Sequence, residues 1–151
     1  MSNENRFGMK GLSIEISVPV RFSETDAMGV VWHGNYFKFF EDAREKFGQE
    51  YQMEYLDMYR NGFFTPIVKS EIQHKASIFY GEGARIVATL EKHDAAKIIF
   101  RYNVYNESTG ALAATGMTMQ VFMKAEDRSM EIIKPSFYSE WEQKQNWIDL
   151  D

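Results

Sequence analysis

The chain has 151 residues, of which 44% are hydrophobic and 15% aromatic, enough for one domain with a bulky core. Its formal net charge of −5 argues against a dedicated nucleic-acid binder, since neutralising phosphates requires clustered Lys and Arg. It contains no cysteine, which excludes disulfides, thiol nucleophiles and cysteine-based metal sites. Residues 1–6 lack the apolar core of a signal peptide, and no apolar run could span a bilayer, so we expect a cytoplasmic protein.

The N-terminal part is predicted to be a flexible lead-in over residues 1–11, followed by a strand. From Leu12 to Phe22 apolar residues alternate with polar ones, which is typical of a half-buried strand. Pro19 lacks a backbone donor, so the strand should lie at a sheet edge or carry a bulge there.

One long helix is predicted from Tyr36 to about Gln49, with Asn35 as a candidate N-cap. Its apolar face is an aromatic-rich stripe with helical spacing, for which core packing is the preferred interpretation. The stripe consists of Tyr36, Phe39, Phe40, Ala43 and Phe47. A second, short helix is predicted over Tyr55–Arg60, ended by an Asn-Gly pair.

The rest of the chain is dominated by strand patterns. Four alternating stretches, centred near residues 72, 88, 101 and 117, are separated by short turns. A C-terminal tail over residues 134–151 should contain a short helix starting at Ser136 or Phe137. The order predicts an α+β fold in which an antiparallel five-stranded sheet wraps around one central helix. The exposed edges of such a sheet favour pairing with a second copy, so we expect a homodimer or a larger homo-oligomer.

Asp26 is the main candidate for chemistry because it lies between a strand end and a helix start. A carboxylate there could act as a general base or a nucleophile, while the helix N-terminus offers free N–H donors to an oxyanion. From spacing alone, a turn or capping role for Asp26 is the stronger interpretation. Glu24 is a rival acid that the sequence pattern does not separate from Asp26.

The three histidines have different expected roles. His33 could orient a substrate or carry a proton, or it could simply stack on Trp32 or Tyr36. His74 falls on the apolar face of a predicted strand and is interpreted as a core histidine, and His93 as a turn residue. Their spacing is not that of metal ligands, so no metal site is predicted.

Residues 25–36 read TDAMGVVWHGNY, and this motif resembles the 4-hydroxybenzoyl-CoA thioesterase and YbgC-like branch of the hotdog-fold thioesterases. The segments TPIVKSE (residues 65–71) and ASIFYGE (residues 76–82) resemble two further signatures of that branch. The family usually has Gly-Asp where this chain has Gly81 and Glu82. The resemblance covers residues 13–123 and implies a single hotdog domain for residues 1–151, forming dimers or tetramers.

The resemblance also implies hydrolysis of an acyl-CoA thioester without a separate cofactor. The catalytic acid of the family falls on Asp26, and the helix-end N–H that binds the carbonyl falls near His33 or Gly34. Asn35 and Tyr36 match positions that shape the helix start and pocket. His33 fits the YbgC-like pattern, where the hydroxybenzoyl enzymes tend to have Tyr, and this favours a general acyl-CoA substrate.

Two exposed cations, Lys75 and Arg85, are candidates for contacting the CoA phosphates, although a solvated strand face is the simpler interpretation. An acyl carrier protein is an alternative to CoA, but the net charge of −5 disfavours docking of an acidic carrier. A hotdog dehydratase is disfavoured because no paired Asp-His hydration motif is present. A non-catalytic acyl-CoA-binding hotdog protein is the remaining alternative, and it would not need Asp26.

Overall fold

The computed structural model describes residues 9–150, which form three helices, eight strands and one 3₁₀ turn. The long strands are β1 (Lys10–Pro19), β3 (Ile67–His74), β4 (Gly83–Glu91), β5 (Lys97–Asn106) and β6 (Leu112–Lys124). Three two-residue strands are β2 (Phe63–Phe64), β7 (Met130–Glu131) and β8 (Ile148–Asp149). The helices are α1 (Asn35–Tyr51), α2 (Tyr55–Arg60) and α3 (Ser136–Gln143), and the 3₁₀ turn is Phe22–Glu24.

The sheet is antiparallel, with the long strands in the order β3-β6-β5-β4-β1. These are the five predicted strands, and the prediction of an antiparallel sheet around one helix is confirmed. The strand count was too low, because three short strands extend the sheet: β8 pairs with β1, while β2 and β7 pair with the end of β6. Two-residue strands carry too little alternation to be recognised from sequence.

Two local predictions near the N-terminus need correction. The predicted lead-in over residues 1–11 is too long, because β1 already begins at Lys10, while residues 1–8 lie outside the described part of the chain. The alternation also overextends β1, since Phe22 lies in the 3₁₀ turn and is 76% exposed. The edge prediction for Pro19 agrees with the register, in which β8 covers only Lys10 and Gly11 of the free side of β1.

The core lies between α1 and the concave face of the sheet. Every member of the predicted aromatic stripe is buried, and Phe40 has no exposed surface. The Phe40 ring stacks on Tyr102 at 4.0 Å between centroids, and a Cβ at Gly116 would meet the Phe40 ring at 2.4 Å. Gly116 therefore leaves room for an aromatic side chain of α1 and for the close backbone of the neighbouring strand β3.

Helix α1 runs two residues beyond the predicted end and stops where Gln52 adopts a left-handed conformation with φ 58°. Beyond it, the indole of Trp141 in α3 donates a hydrogen bond of 2.7 Å to the carbonyl oxygen of Tyr51. The C-terminal tail thus contains the predicted short helix, and that helix closes the C-terminal end of α1. Within residues 9–150, no helix combines the length and apolarity needed to cross a bilayer.

Candidate active site

The connection between β1 and α1 begins with a buried acid. The Glu24 carboxylate accepts a 2.8 Å hydrogen bond from the Arg21 backbone N–H, and its second oxygen lies 3.7 Å from the Lys38 ammonium. The residue is only 6% exposed. Glu24 is therefore used to hold the 3₁₀ turn and to anchor a helix side chain, and it is a poor candidate for a reacting carboxylate.

Asp26 forms a tight turn two residues later. Its N–H donates to the Val30 carbonyl at 2.9 Å, and the Gly29 N–H donates to the Asp26 carbonyl at 3.0 Å. Gly29 has φ +79°, a conformation that glycine adopts without strain. The Asp26 carboxylate accepts the Met28 N–H at 2.8 Å and forms no ion pair within residues 9–150. The turn therefore orients a half-buried carboxylate that has no ion-pair partner among the described residues.

The helix start is tied to this turn through the backbone of Glu24. The Glu24 carbonyl accepts hydrogen bonds from the Trp32 N–H at 2.9 Å and from the side-chain amide of Asn35 at 2.8 Å. The predicted N-cap is wrong by one residue: Gly34 is the N-cap, and Asn35 is the first residue of α1. The Asn35 amide serves this tertiary contact instead of capping the helix.

Two backbone donors remain unused at the helix start. Asn35 and Tyr36 direct their N–H groups to the carbonyls of Trp32 and His33. By contrast, no hydrogen bond in the described chain uses the N–H groups of His33 and Gly34. Helix N-termini present such donors together with the positive end of the helix dipole, so this end suits a developing negative charge.

The other wall of the site is the segment between β3 and β4. The Val31 N–H donates to the Ile78 carbonyl at 2.8 Å, and the Tyr80 N–H donates to the Gly29 carbonyl at 2.9 Å. Large apolar side chains nevertheless stay exposed around the turn. These exposed residues are Phe22, Met28, Trp32, Phe79 and Tyr80. Such an exposed apolar cluster beside a carboxylate is typical of a surface that contacts a ligand or partner.

The histidine predictions are partly wrong. His74 is exposed at the end of β3, and its ring lies 5.0 Å from Tyr36 and 6.5 Å from His33. His33 is also exposed and leans against Trp32 at 4.9 Å. Burial raises the pKa of the Tyr36 hydroxyl, which keeps the phenol protonated at neutral pH. The structure thus adds His74, which the strand pattern misassigned to the core, to the group around the helix start.

The two candidate phosphate contacts lie in different places. Lys75 follows His74 directly, and its ammonium has no ion-pair partner among the residues described. Arg85 lies on the outer face of the sheet, where its guanidinium is 4.3 Å from the Tyr105 ring centroid and 3.5 Å from Glu15. Lys75 therefore adjoins His74 in the chain and is free of ion pairs among the described residues, whereas the Arg85 guanidinium already contacts Tyr105 and Glu15. No group of three or more potential metal ligands occurs in residues 9–150.

The chain is similar to known proteins in sequence and in fold. The family model of the thioesterase-like superfamily matches residues 20–144. The Bacillus subtilis (strain 168) protein YneP, which carries the name of an acyl-CoA thioesterase, is 34% identical over 89 residues. That match covers 59% of this chain and 64% of YneP, just under two thirds of the relative.

Solved structures give the same result. The DHNA-CoA thioesterase from Staphylococcus aureus superposes with a TM-score of 0.78 and 30% identity, covering 87% of this chain and 89% of that one. The 4-hydroxybenzoyl-CoA thioesterase from Pseudomonas sp. strain CBS-3 superposes with a TM-score of 0.73 at 20% identity, over 85% and 98% of the two chains, a likeness of fold alone. The predicted hotdog fold is confirmed, and the chain belongs to the thioesterase-like superfamily.

Proposed function

We propose that this protein is a thioesterase that hydrolyses an acyl-CoA to the free carboxylic acid and CoA. The observation that carries the proposal is the pairing of Asp26 with the start of α1. A carboxylate without an ion-pair partner is held in a turn, and the Glu24 carbonyl ties that turn to a helix end with two unused N–H groups. An acid beside preorganised oxyanion donors is sufficient for acyl transfer to water.

In the proposed reaction, the thioester carbonyl accepts hydrogen bonds from the N–H groups of His33 and Gly34. Asp26 then either attacks the carbonyl carbon, forming a mixed anhydride that water hydrolyses, or removes a proton from the attacking water. In both routes the C–S bond breaks and the electron pair leaves with the CoA sulfur. A thiol has a pKa of about 8.5, so the thiolate leaves without strong acid assistance. This chemistry requires no separate cofactor.

The neighbouring side chains have supporting roles in this proposal. Asn35 fixes the helix start, and Tyr36 supplies a protonated phenol and a ring that supports His74. The main contribution of His33 is its backbone N–H, and its exposed imidazole has a secondary role. Lys75 is the better candidate for a CoA phosphate, because the contacts of Arg85 with Tyr105 and Glu15 already occupy its guanidinium.

We also propose that the working unit is a homo-oligomer that forms through β3. Among the residues that the structure describes, β3 pairs with β6 on one side only, so a row of backbone donors and acceptors remains open on the other. Its residues are exposed along nearly the whole length, including Ile67 at 43% and Val68 at 55%. A second copy pairing edge to edge would satisfy these groups and cover the apolar surface. A cytoplasmic location stays a prediction.

The test replaces Asp26 by Asn and measures thiol release from a panel of acyl-CoAs. Asn keeps an oxygen acceptor for the Met28 N–H, so the turn should survive while the negative charge is lost. Loss of a nucleophile or general base should lower kcat by about 10²–10⁴-fold without a matching change in the circular dichroism spectrum or Tm.

The matched control is Glu24→Gln, which removes the neighbouring carboxylate and keeps an acceptor for the Arg21 N–H. We expect this variant to lose stability while its kcat per folded molecule stays within a few-fold of the parent. Undiminished turnover in Asp26→Asn would contradict the assignment of Asp26 as nucleophile or general base. Absence of hydrolysis with every CoA thioester would instead reject the thioesterase function, and tight acyl-CoA binding would then favour a non-catalytic binding protein.

A further inference from the structure

A cavity of about 510 Å³ lies between the second half of α1, the sheet, α2 and α3. It is separate from the Asp26 turn, because neither Asp26 nor His33 lines it. Its volume falls within the range of about 300–1,000 Å³ that is usual for small-molecule sites. The cavity therefore has the dimensions of a binding site that the hydrolytic machinery does not explain.

The lining of the cavity is mixed in polarity at the mouth and apolar at the floor. Exposed residues at the mouth include Glu41, Glu45 and Leu56. The floor is made of buried apolar side chains from α1, the sheet and α3, namely Phe47, Leu90, Ile98, Phe100, Tyr138 and Trp141. An apolar floor beneath a mouth of mixed polarity suits an apolar group that enters from the surface and leaves water as it advances.

Arg44 also lines the cavity, and its guanidinium, which forms no ion pair among the described residues, is hydrogen-bonded to the sheet. Its guanidinium donates a 3.0 Å hydrogen bond to the Tyr102 hydroxyl, which in turn lies 2.6 Å from the Thr118 hydroxyl. The charged head is therefore tied to the sheet, and the aliphatic stem can line the cavity. The wall remains compatible with an apolar occupant.

The cavity lies on the same face of α1 as Gly34, which supplies one of the two N–H groups of the proposed oxyanion site. Residues spaced alternately by three and four form one stripe along the helix: Gly34, Phe37, Glu41, Arg44 and Gly48. The last three of these line the cavity, and Phe37 lies between them and Gly34 with 45% of its surface exposed. A chain that starts at Gly34 and follows the stripe would pass over the Phe37 ring and reach the mouth.

The helix rise sets the length of chain required. With about 1.5 Å per residue, the mouth at Glu41 is about 10 Å from Gly34, and the far end at Gly48 is about 21 Å away. An extended alkyl chain, with C–C bonds of about 1.5 Å in a zigzag, advances about 1.25 Å per bond, so about eight bonds reach the mouth and about seventeen reach the far end.

We propose that this cavity binds the distal part of a long, unbranched fatty acyl group, which makes acyl chains of about 10 to 18 carbons the substrate class. Because the carbonyl is taken to dock at Gly34, the assignment rests on the proposed thioesterase function. Chains of up to about eight carbons stop short of the mouth and gain nothing from the cavity.

The first measurement is kcat/KM for saturated acyl-CoAs from two to sixteen carbons, taken below their critical micelle concentrations. We expect little change up to octanoyl-CoA and a rise of at least tenfold from octanoyl-CoA to tetradecanoyl-CoA. Burying one methylene group can raise affinity by about fourfold, so several methylenes in the cavity suffice for this rise. A profile that stays flat, or that falls beyond eight carbons, would overturn the proposal.

Two variants fill the cavity from opposite ends. Leu56→Trp narrows the mouth, and Ile98→Phe raises the floor. Each should lower kcat/KM for tetradecanoyl-CoA by tenfold or more while leaving hexanoyl-CoA within twofold. Tyr59→Trp is the matched control, because Tyr59 is exposed on the same short helix as Leu56 and does not line the cavity. An unchanged chain-length profile in both filled variants contradicts the assignment.

Calorimetric binding of free tetradecanoate separates this inference from the proposed activity. Binding to the parent that weakens at least tenfold in Ile98→Phe supports the cavity assignment even if no thioester is hydrolysed. Hydrolysis of short acyl-CoAs without tetradecanoate binding rejects the cavity assignment alone. Absence of both hydrolysis and binding rejects the two together.

Discussion

The two ends of α1 lie in surroundings of opposite character. At the N-terminal end, polar backbone groups are exposed around the Asp26 turn, and two N–H donors have no partner in the described chain. At the C-terminal end, Phe47 packs against Phe100 and Trp141, and the Trp141 indole satisfies the Tyr51 carbonyl. The contrast indicates that the two ends of α1 have separate roles. The N-terminal end leaves backbone N–H groups available to a ligand, whereas the C-terminal end satisfies its backbone groups within the packed core.

The largest effect that tests this separation of roles is expected at the packed end. Phe47→Ala removes a ring that is 3% exposed and should lower the free energy of unfolding by about 3–5 kcal/mol. Its kcat for hexanoyl-CoA, per folded molecule, should stay within twofold of the parent. Urea denaturation and thiol release measure the two quantities.

The neighbouring Lys46→Ala is the control for this experiment. Lys46 forms only a 3.5 Å surface ion pair with Glu50, so its removal should cost no more than about 0.5 kcal/mol. A large loss of turnover in folded Phe47→Ala would contradict the proposal that the two ends of α1 have separate roles.

A smaller effect on stability, with a clear effect on turnover, is expected at the open end. Asn35→Ala deletes the 2.8 Å hydrogen bond to the Glu24 carbonyl, which still accepts the Trp32 N–H. The cost should be about 1 kcal/mol of stability. Because the bond holds the helix start against the Asp26 turn, kcat should fall by about 10- to 100-fold. Steady-state kinetics together with Tm give the comparison, and a stability loss with unchanged kcat would reduce Asn35 to a purely structural role.

The buried tyrosines on the packed side should have the smallest effect on stability near neutral pH. Burial raises the pKa of the Tyr102 and Tyr138 hydroxyls above the ordinary value of 10.0. The unfolded chain then loses these protons at a lower pH than the folded chain does. Their contribution to stability is fully present below about pH 10 and is lost as the pH rises above it.

Thermal unfolding between pH 8 and pH 11 should therefore show a flat Tm followed by a decline. Tyr138→Phe should make that decline shallower and leave Tm at pH 8 nearly unchanged. A decline of the same steepness in this variant would show that Tyr138 does not contribute to the alkaline loss.

Much of the fold could be predicted because its signals are local. Period-two alternation located the five long strands, and the aromatic stripe located α1, since both patterns depend only on neighbouring residues. The extent of the lead-in and the three two-residue strands could not be predicted. Those features depend on pairing between distant segments, such as Gly11 with Ile148.

The candidate site was less predictable, since its decisive contacts are tertiary. Glu24 and Asp26 are equivalent in the sequence, and only the ion pair of Glu24 with Lys38 and its near-complete burial tell them apart. The same holds for Asn35, whose amide reaches the Glu24 carbonyl instead of capping its own helix. His74 was misassigned because alternation reports the face of a strand but does not show that the strand lies at an edge.

The hydrogen bond between Trp141 and Tyr51 also has a consequence for the order of folding events. Its partners are separated by 90 residues, whereas the Asn35–Glu24 contact at the other end of α1 spans only 11. Short loops close faster and at lower entropic cost than long ones. We therefore expect the N-terminal end of α1 to become ordered early and its C-terminal end to be covered by α3 late. During that interval the aromatic floor beneath α3 is open to water, and the nascent chain is most exposed to aggregation.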